Sequence, residues 1–259
     1  MGGRPTRAVA TVQLGDETEV ALVDEIAQGM ADAASAWGLH IVGGDIGRAV
    51  ELTLTLTLLG DVDEPVLRSG ARAGDLVCVT GALGAAHAGL LLLQAGAVDL
   101  DAAYAEIETG AGADGRAILA ARQLRPHPRP AEGAALGPLA TAMIDVSDGL
   151  AIDLGRLCIA SGVGCEVDPG TIPLHPELDR GLEDLQHAPE PLECALLGGE
   201  DFELVFTMPE GSLDAMHAAL DDIGTGVSVI GRITDEGRTI GDRPLDDWSR
   251  SGWDHLRTR

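Results

Sequence analysis

Between Glu51 and Leu58 the chain alternates strictly, with Leu52, Leu54, Leu56 and Leu58 on one parity and Thr53, Thr55 and Thr57 on the other. Successive side chains of a strand point to opposite faces, so this period of two commits the segment to a β-strand whose leucine face is expected to be buried. A sheet is therefore expected early in the chain. Helical spacing precedes it: Asp16 to Trp37 places Val20, Val23, Ala27, Met30, Ala34 and Trp37 along one stripe. Asp16 and Glu19 are spaced as a capping box, and Gly38 stands where a helix stops. Val9 to Leu14 reads as a short strand, and His40 to Val42 leads into Gly43-Gly44-Asp45, which reads as a turn between strands.

Beyond the early sheet, Arg68-Ser69-Gly70-Ala71 and Gly74-Asp75 make a polar, glycine-containing break before a new strand, Leu76 to Thr80. A domain boundary is expected near residue 70, dividing the chain into 1–70 and 71–259. Gly81 to Gly84 turns into an Ala/Leu-rich helix, a second, acidic helical stretch runs to about Leu124, and Arg125-Pro-His-Pro-Arg-Pro130 is a stiff connector. Strands and helices alternate, so the expected class is α/β (α+β) in two domains, which a chain of 259 residues can supply with cores.

Charge narrows the chemistry. Acidic residues outnumber basic ones 42 to 17, for a formal charge of -25, which argues against nucleic acid as a partner. All 17 basic residues are arginines, and neither lysine nor asparagine occurs. A Walker A loop, a protein-kinase site and Schiff-base chemistry each require a lysine, so all three are excluded. Nucleotide chemistry here must rest on metal ions and arginine. The helical segments hold no apolar run near the roughly 20 residues a bilayer span needs, so no membrane partner is expected. Nor do the first residues show a basic stretch followed by an apolar signal core, which makes the cytoplasm the default compartment. Cys78, Cys158, Cys165 and Cys194 lie far apart without a CxxC pair and read as reduced, buried thiols.

Three constellations carry chemistry. In Ala142-Met-Ile-Asp-Val-Ser-Asp-Gly-Leu150 an apolar strand runs into a turn and then a helix, Leu150 to Ser161, ending at Gly162. Asp145 and Ser147 share a strand face and Asp148 follows at the helix entrance, a set of hard oxygen donors that suits magnesium. The plainer alternative is that Ser147 or Asp148 merely caps the helix. Gly43-Gly44-Asp45 lets a backbone approach a phosphate and offers a metal-binding carboxylate, although a Gly-Gly-Asp turn standing alone is more often only a turn. In Leu197-Gly-Gly-Glu-Asp-Phe-Glu-Leu-Val-Phe206, Phe202, Leu204 and Phe206 alternate as one core-facing strand side. Glu200 and Asp201 precede it, as recognition carboxylates or as a solvated loop.

In order, GGD (Gly43 to Asp45), RSGA with AGD (Arg68 to Asp75), VTGALG (Val79 to Gly84), LRPHPR (Leu124 to Arg129), MIDVSDGLAIDL (Met143 to Leu154) and GGEDFELVF (Gly198 to Phe206) resemble thiamine-monophosphate kinase across nearly the whole chain. The resemblance implies a two-domain ATP-binding fold like that of aminoimidazole ribonucleotide synthetase, here with a partial N-terminal ATP- and magnesium-binding dimerisation domain and a complete C-terminal α/β domain. It implies a homodimer that transfers a phosphoryl group in line from the co-substrate ATP to thiamine monophosphate, with Mg2+ as cofactor. Asp45, Asp145 and Asp148 would bind magnesium and serve catalysis, Gly44 would lie near the nucleotide, Arg68 would contact ATP phosphate, and Ser147 would touch ATP. Glu200 would recognise thiamine monophosphate, as would Trp253 in Gly252-Trp253-Asp-His-Leu256, whose alternative role is to anchor the terminus.

The same resemblance carries departures. The family's GDDAA strand, its TD and VEGVHF segment and its NLSD helix are not found here, so an N-terminally truncated member is expected. The family's GGDTTRG reads Gly43-Gly-Asp-Ile-Gly-Arg-Ala49, without the two hydroxyls. Two alternatives follow: a truncated, inactive nucleotide-binding module, or another enzyme of the superfamily, related to aminoimidazole ribonucleotide synthetase or selenophosphate synthetase.

Overall fold

A computed structural model of the chain describes residues 1–110, 114–183 and 185–249. It divides into two compact units, a smaller one of Gly2–Pro65 and a larger one of Met1 with Val66 onward, so Arg68 to Gly70 fall in the larger unit.

In the smaller unit β1 (Arg4–Leu14) is followed by α1 (Val20–Ala36), β2 (His40–Arg48) and β3 (Thr53–Asp61). β1 is central, parallel to β2 and antiparallel to β3. Gly38 ends α1 at φ +65, and the amides of Gly38 and Leu39 return to the carbonyls of Ser35 and Ala34, as the glycine stop requires. Three expectations need correction. The helix starts at Val20 with Glu19 as N-cap and no side-chain cap, so Asp16 and Glu19 form no capping box; Asp16 pairs instead with Arg48 at 3.5 Å. Gly43-Gly44-Asp45 is not a turn but the middle of β2, where the register against β1 shifts between Ala8 and Val9. Gly44 is needed there because a Cβ would run into the carbonyl oxygen of Ala10. Finally, the leucine face of β3 is open, with Leu54 at 43%, Leu56 at 44% and Leu58 at 59% exposure. Alternation fixed the strand but not a cover for it, since burial depends on what packs against the face.

The larger unit contains β4 (Leu76–Thr80), α2 (Ala85–Gln94), α3 (Leu100–Thr109), α4 (Gly115–Leu124), α5 (Pro130–Leu136), β5 (Ala142–Asp145) and α6 (Leu150–Ser161). There follow β6 (Gly164–Val167), α7 (Leu178–Leu182), α8 (Pro191–Leu197), β7 (Leu204–Met208), α9 (Leu213–Asp221), β8 (Val227–Thr234), β9 (Arg238–Ile240), β10 (Arg243–Pro244) and α10 (Leu245–Ser249). Seven strands form one sheet in the order β10-β9-β6-β8-β4-β7-β5. Only β6 and β9 pair in parallel, so helices interleave in sequence while the sheet itself is mainly antiparallel.

The period of two sorts the core into two layers. Val77, Val79, Ile144 and Val205 face a layer with Leu150, Leu154 and Leu157 of α6, while Leu76, Cys78, Met143, Leu204 and Phe206 face Leu136 of α5 and Met216 and Leu220 of α9. A third cluster joins α2, α4 and α7 through Leu92, Leu119 and Leu178. All four cysteines are free and buried. Phe202 departs from expectation: β7 begins at Leu204, and Phe202 is a half-buried residue at φ 51 that precedes the strand. No helix among the described residues is long and apolar enough to cross a membrane.

Candidate functional site

β5 ends at Asp145, which lies opposite Leu204 of β7, and the chain then turns through Val146, Ser147 and Asp148 into α6. Gly149 permits the turn with φ 109; a Cβ there would come within 2.7 Å of the Leu196 carbonyl oxygen. Neither Ser147 nor Asp148 caps α6, whose N-cap is Gly149 without a side-chain bond. That organising role belongs to Asp153, a residue given no role from sequence. It is fully buried, and its Oδ2 accepts the amides of Ser147 at 2.9 Å and Asp148 at 2.8 Å. Arg156 Nη1 bridges Asp153 Oδ1 at 2.7 Å and Asp148 Oδ2 at 2.5 Å. Burial raises the Asp153 carboxyl above the ordinary carboxylate range, against the opposing effect of both amides and Arg156. Asp145, Ser147 and Asp148 remain half-buried at the end of the strand.

The glycine-acid loop lies directly against this turn. Glu200 N donates to Ser147 O at 3.0 Å, Phe202 N to Val146 O at 2.9 Å, and Val146 N to Glu203 O at 2.7 Å. Gly199 makes the approach possible, since a Cβ there would run into the Ser147 carbonyl oxygen. Glu200 and Phe202 adopt the left-handed region at φ 71 and 51, each at a cost on the order of 1–3 kcal/mol that surrounding contacts must overcome. Exposed Glu200 accepts Gln123 Nε2 at 2.6 Å. Asp201 turns inward to cap α2, accepting Gly84 N at 2.7 Å and Ala86 N at 3.1 Å. Burial, helped by nearby Glu203, pushes its carboxyl up to about 7 despite those amides and Arg122.

Glu200 and Asp201 border a cavity of about 340 Å³, with Arg122, His127, Arg129 and His175 also in its lining. Burial, reinforced by Arg129 for His127 and by Arg122 for His175, lowers both imidazoles, which are neutral near pH 7. The recess thus offers carboxylates, neutral imidazoles and guanidinium groups to a polar ligand. Within this lining, Arg129 forks onto Glu203, with Nε 2.9 Å from Oε2 and Nη2 2.6 Å from Oε1. Arg129 was read as part of a stiff connector and of the LRPHPR motif, without a role of its own; its signal was an arginine between Pro128 and Pro130, which hold its backbone.

The remaining sequence-derived residues lie elsewhere. Arg68 is exposed in a loop tied to the far end of α6, where Ser161 Oγ donates to Arg68 O at 3.1 Å and accepts the amides of Gly70 and Ala71 at 3.2 Å each. Its backbone is therefore about 18 Å, the rise of twelve helical residues, from the Asp148 end of α6. Gly44 and Asp45 belong to the smaller unit, where Asp45 is exposed opposite Thr11. Trp253 lies outside the described residues. No group of three or more His, Cys, Asp or Glu side chains suited to a metal occurs among the described residues. Asp145 and Asp148 nevertheless fit magnesium, which typically takes one or two protein carboxylates and completes its shell with water and phosphate oxygens.

The thiamine-monophosphate kinase of Escherichia coli (strain K12) is 35% identical over 265 residues, covering 100% of this chain and 76% of that protein. This chain belongs to the thiamine-monophosphate kinase family. The thiamine-monophosphate kinase of Halobacterium salinarum is 38% identical over 238 residues, covering 90% of this chain and 72% of the relative. Among solved structures, the thiamine-monophosphate kinase from Stenotrophomonas maltophilia K279a has TM-score 0.82 at 32% identity, covering 94% of this chain and 74% of that one. AaThiL complexed with AMPPCP and TMP has TM-score 0.78 at 31% identity, covering 94% and 72%. Residues 1–62 match the AIR synthase related protein N-terminal domain and residues 72–242 its C-terminal domain, so this thiamine-monophosphate kinase family member has the two-domain fold of that broader group.

Proposed function

We propose that the protein catalyses the ATP-dependent phosphorylation of thiamine monophosphate to thiamine diphosphate by direct in-line transfer. A phosphate oxygen of thiamine monophosphate attacks the γ-phosphorus of ATP, the bond to the β,γ-bridging oxygen breaks, ADP leaves, and no covalent enzyme intermediate forms. The observation that carries this reading is the union of the Asp145–Asp148 turn and the Gly199–Glu203 loop through three backbone hydrogen bonds, beside a polar cavity. It is supported by family membership and by the AaThiL complex with AMPPCP and TMP.

Asp145 and Asp148 would hold Mg2+, and Asp45 would be a magnesium ligand of the smaller unit; the metal would supply charge neutralisation between two anionic phosphates. The protein's own residues do the positioning. Gly44 lies near the nucleotide and Ser147 contacts ATP, while Glu200 and Trp253 orient thiamine monophosphate. The reading includes a homodimer joined through the open leucine face of β3, in the cytoplasm, where free thiols such as these four persist.

Incubating the purified protein with ATP, Mg2+ and thiamine monophosphate and separating the products by chromatography tests this. Thiamine diphosphate and ADP should appear in equal amounts, and Asp148→Ala should lower the rate by about a hundredfold or more. No product from the intact, folded protein would refute the reading and favour a nucleotide-binding module without activity.

A further inference from the structure

We infer that Arg129 and Glu203 form a positioning pair that holds Glu200 and Phe202 in their left-handed backbone conformations at the cavity. This role rests on the assignment of Glu200 as a substrate contact. Arg129 is 14% and Glu203 7% exposed at the side chain, and their bidentate contact fixes the plane of the carboxylate as well as its distance. Thr80 Oγ1 donates to the same Glu203 Oε2 at 2.6 Å and accepts Leu204 N at 2.9 Å, locking the Glu203 side chain to the first residue of β7. Gly81, at φ 59, leaves the space, since a Cβ there would strike the Glu203 carboxylate. On the other side Arg129 Nη1 reaches Glu132 Oε1 at 3.1 Å, which also accepts Thr225 Oγ1 at 2.7 Å.

Replacing a buried ion pair with apolar residues of similar volume is often neutral for stability, so net stabilisation is a weak reason for such a pair to be present. Geometry is a stronger one. Two left-handed non-glycine residues separated only by Asp201 persist only where their surroundings over-determine them. The carbonyl of Glu203, held by Val146 N, and its side chain, held by Arg129 and Thr80, fix the residue that follows Phe202. The strain is thereby confined to the segment that borders the cavity.

The test compares Arg129→Lys, which keeps the charge but loses the fork, with the triple variant Arg129→Met, Glu132→Gln, Glu203→Leu, which removes all three charges and keeps an acceptor for Thr225. Amide hydrogen exchange at Glu200 and Phe202 is read without substrate, alongside the urea midpoint and the KM values for thiamine monophosphate and ATP. Both variants should exchange these two amides about tenfold faster or more. In the triple variant the urea midpoint should stay near wild type while KM for thiamine monophosphate rises about tenfold and KM for ATP holds. Wild-type exchange at both amides in Arg129→Lys, or wild-type exchange and KM in a stable triple variant, would overturn the positioning role. If the wild-type protein shows no turnover, the assigned activity fails, and the exchange measurement still decides the pair.

Discussion

Asp153 holds the amide of Ser147 at 2.9 Å through the same oxygen that takes the amide of Asp148 at 2.8 Å. A single buried carboxylate therefore sets the backbone that presents both residues. Removing it leaves two partly buried donors unpaired, each at a cost of about 1–3 kcal/mol, and leaves Arg156 paired with Asp148 alone. Asp153→Ala should lower unfolding stability by about 3 kcal/mol or more, read from the urea midpoint, whereas Asp153→Asn, which keeps one acceptor, should lose less.

Gly199 faces the Ser147 carbonyl, and the obstacle to a side chain there is backbone rather than a flexible tip. Gly199→Ala should reduce stability by about 2 kcal/mol or more and raise KM for thiamine monophosphate, because the loop must back away from the turn. Gly211→Ala is the matched control, since its Cβ would meet nothing within 4 Å. Calorimetry and steady-state kinetics on the two variants check the contrast.

The pH dependence follows from Asp201, raised from 3.8 to about 7 by burial. In the unfolded chain the carboxyl loses its proton near its ordinary value, while the folded protein keeps it until about 7, so the folded state binds more protons in between. This contribution therefore favours the fold on the acid side and declines as pH rises through about 7, by at most about 1.4 kcal/mol per pH unit. Asp201→Asn should abolish that part of the slope. It should also lower stability throughout, because an amide offers only one of the two acceptors that Gly84 and Ala86 use. Urea midpoints for both proteins between about pH 4 and 8 check the prediction.

The open face of β3 bears on assembly. If it joins two copies of the chain, Leu56→Asp should place charges in an apolar interface and shift the protein from dimer to monomer in sedimentation, with far-UV circular dichroism unchanged. A wild-type protein that sediments as a monomer at micromolar concentration would contradict the homodimer.

Local signals in the sequence identified elements better than their surroundings. Leu76 to Thr80 and Leu150 to Ser161 have the bounds read from apolar runs and glycine stops, because both segments are fixed by their own residues. Gly43-Gly44 misled because paired glycines ordinarily mark turns, whereas Gly44 sits mid-strand to let the Ala10 carbonyl pass, a demand made by another strand. The meeting of Ser147 with Glu200 was not legible either, since it depends on β5 lying beside β7. Asp153 did leave a trace, an acid in the first turn of a helix that opens on glycine, but its partners are amides upstream and carry no side-chain signature.

β5 is the edge strand of its sheet and pairs only with β7. During synthesis Asp145 and Ser147 therefore emerge from the ribosome long before Leu204 exists to receive them, and the strand that carries them waits without its partner in the sheet. The nascent chain completes this part of its pocket only after β7 is released, and over that interval the strand presents an unpaired edge that a chaperone would protect.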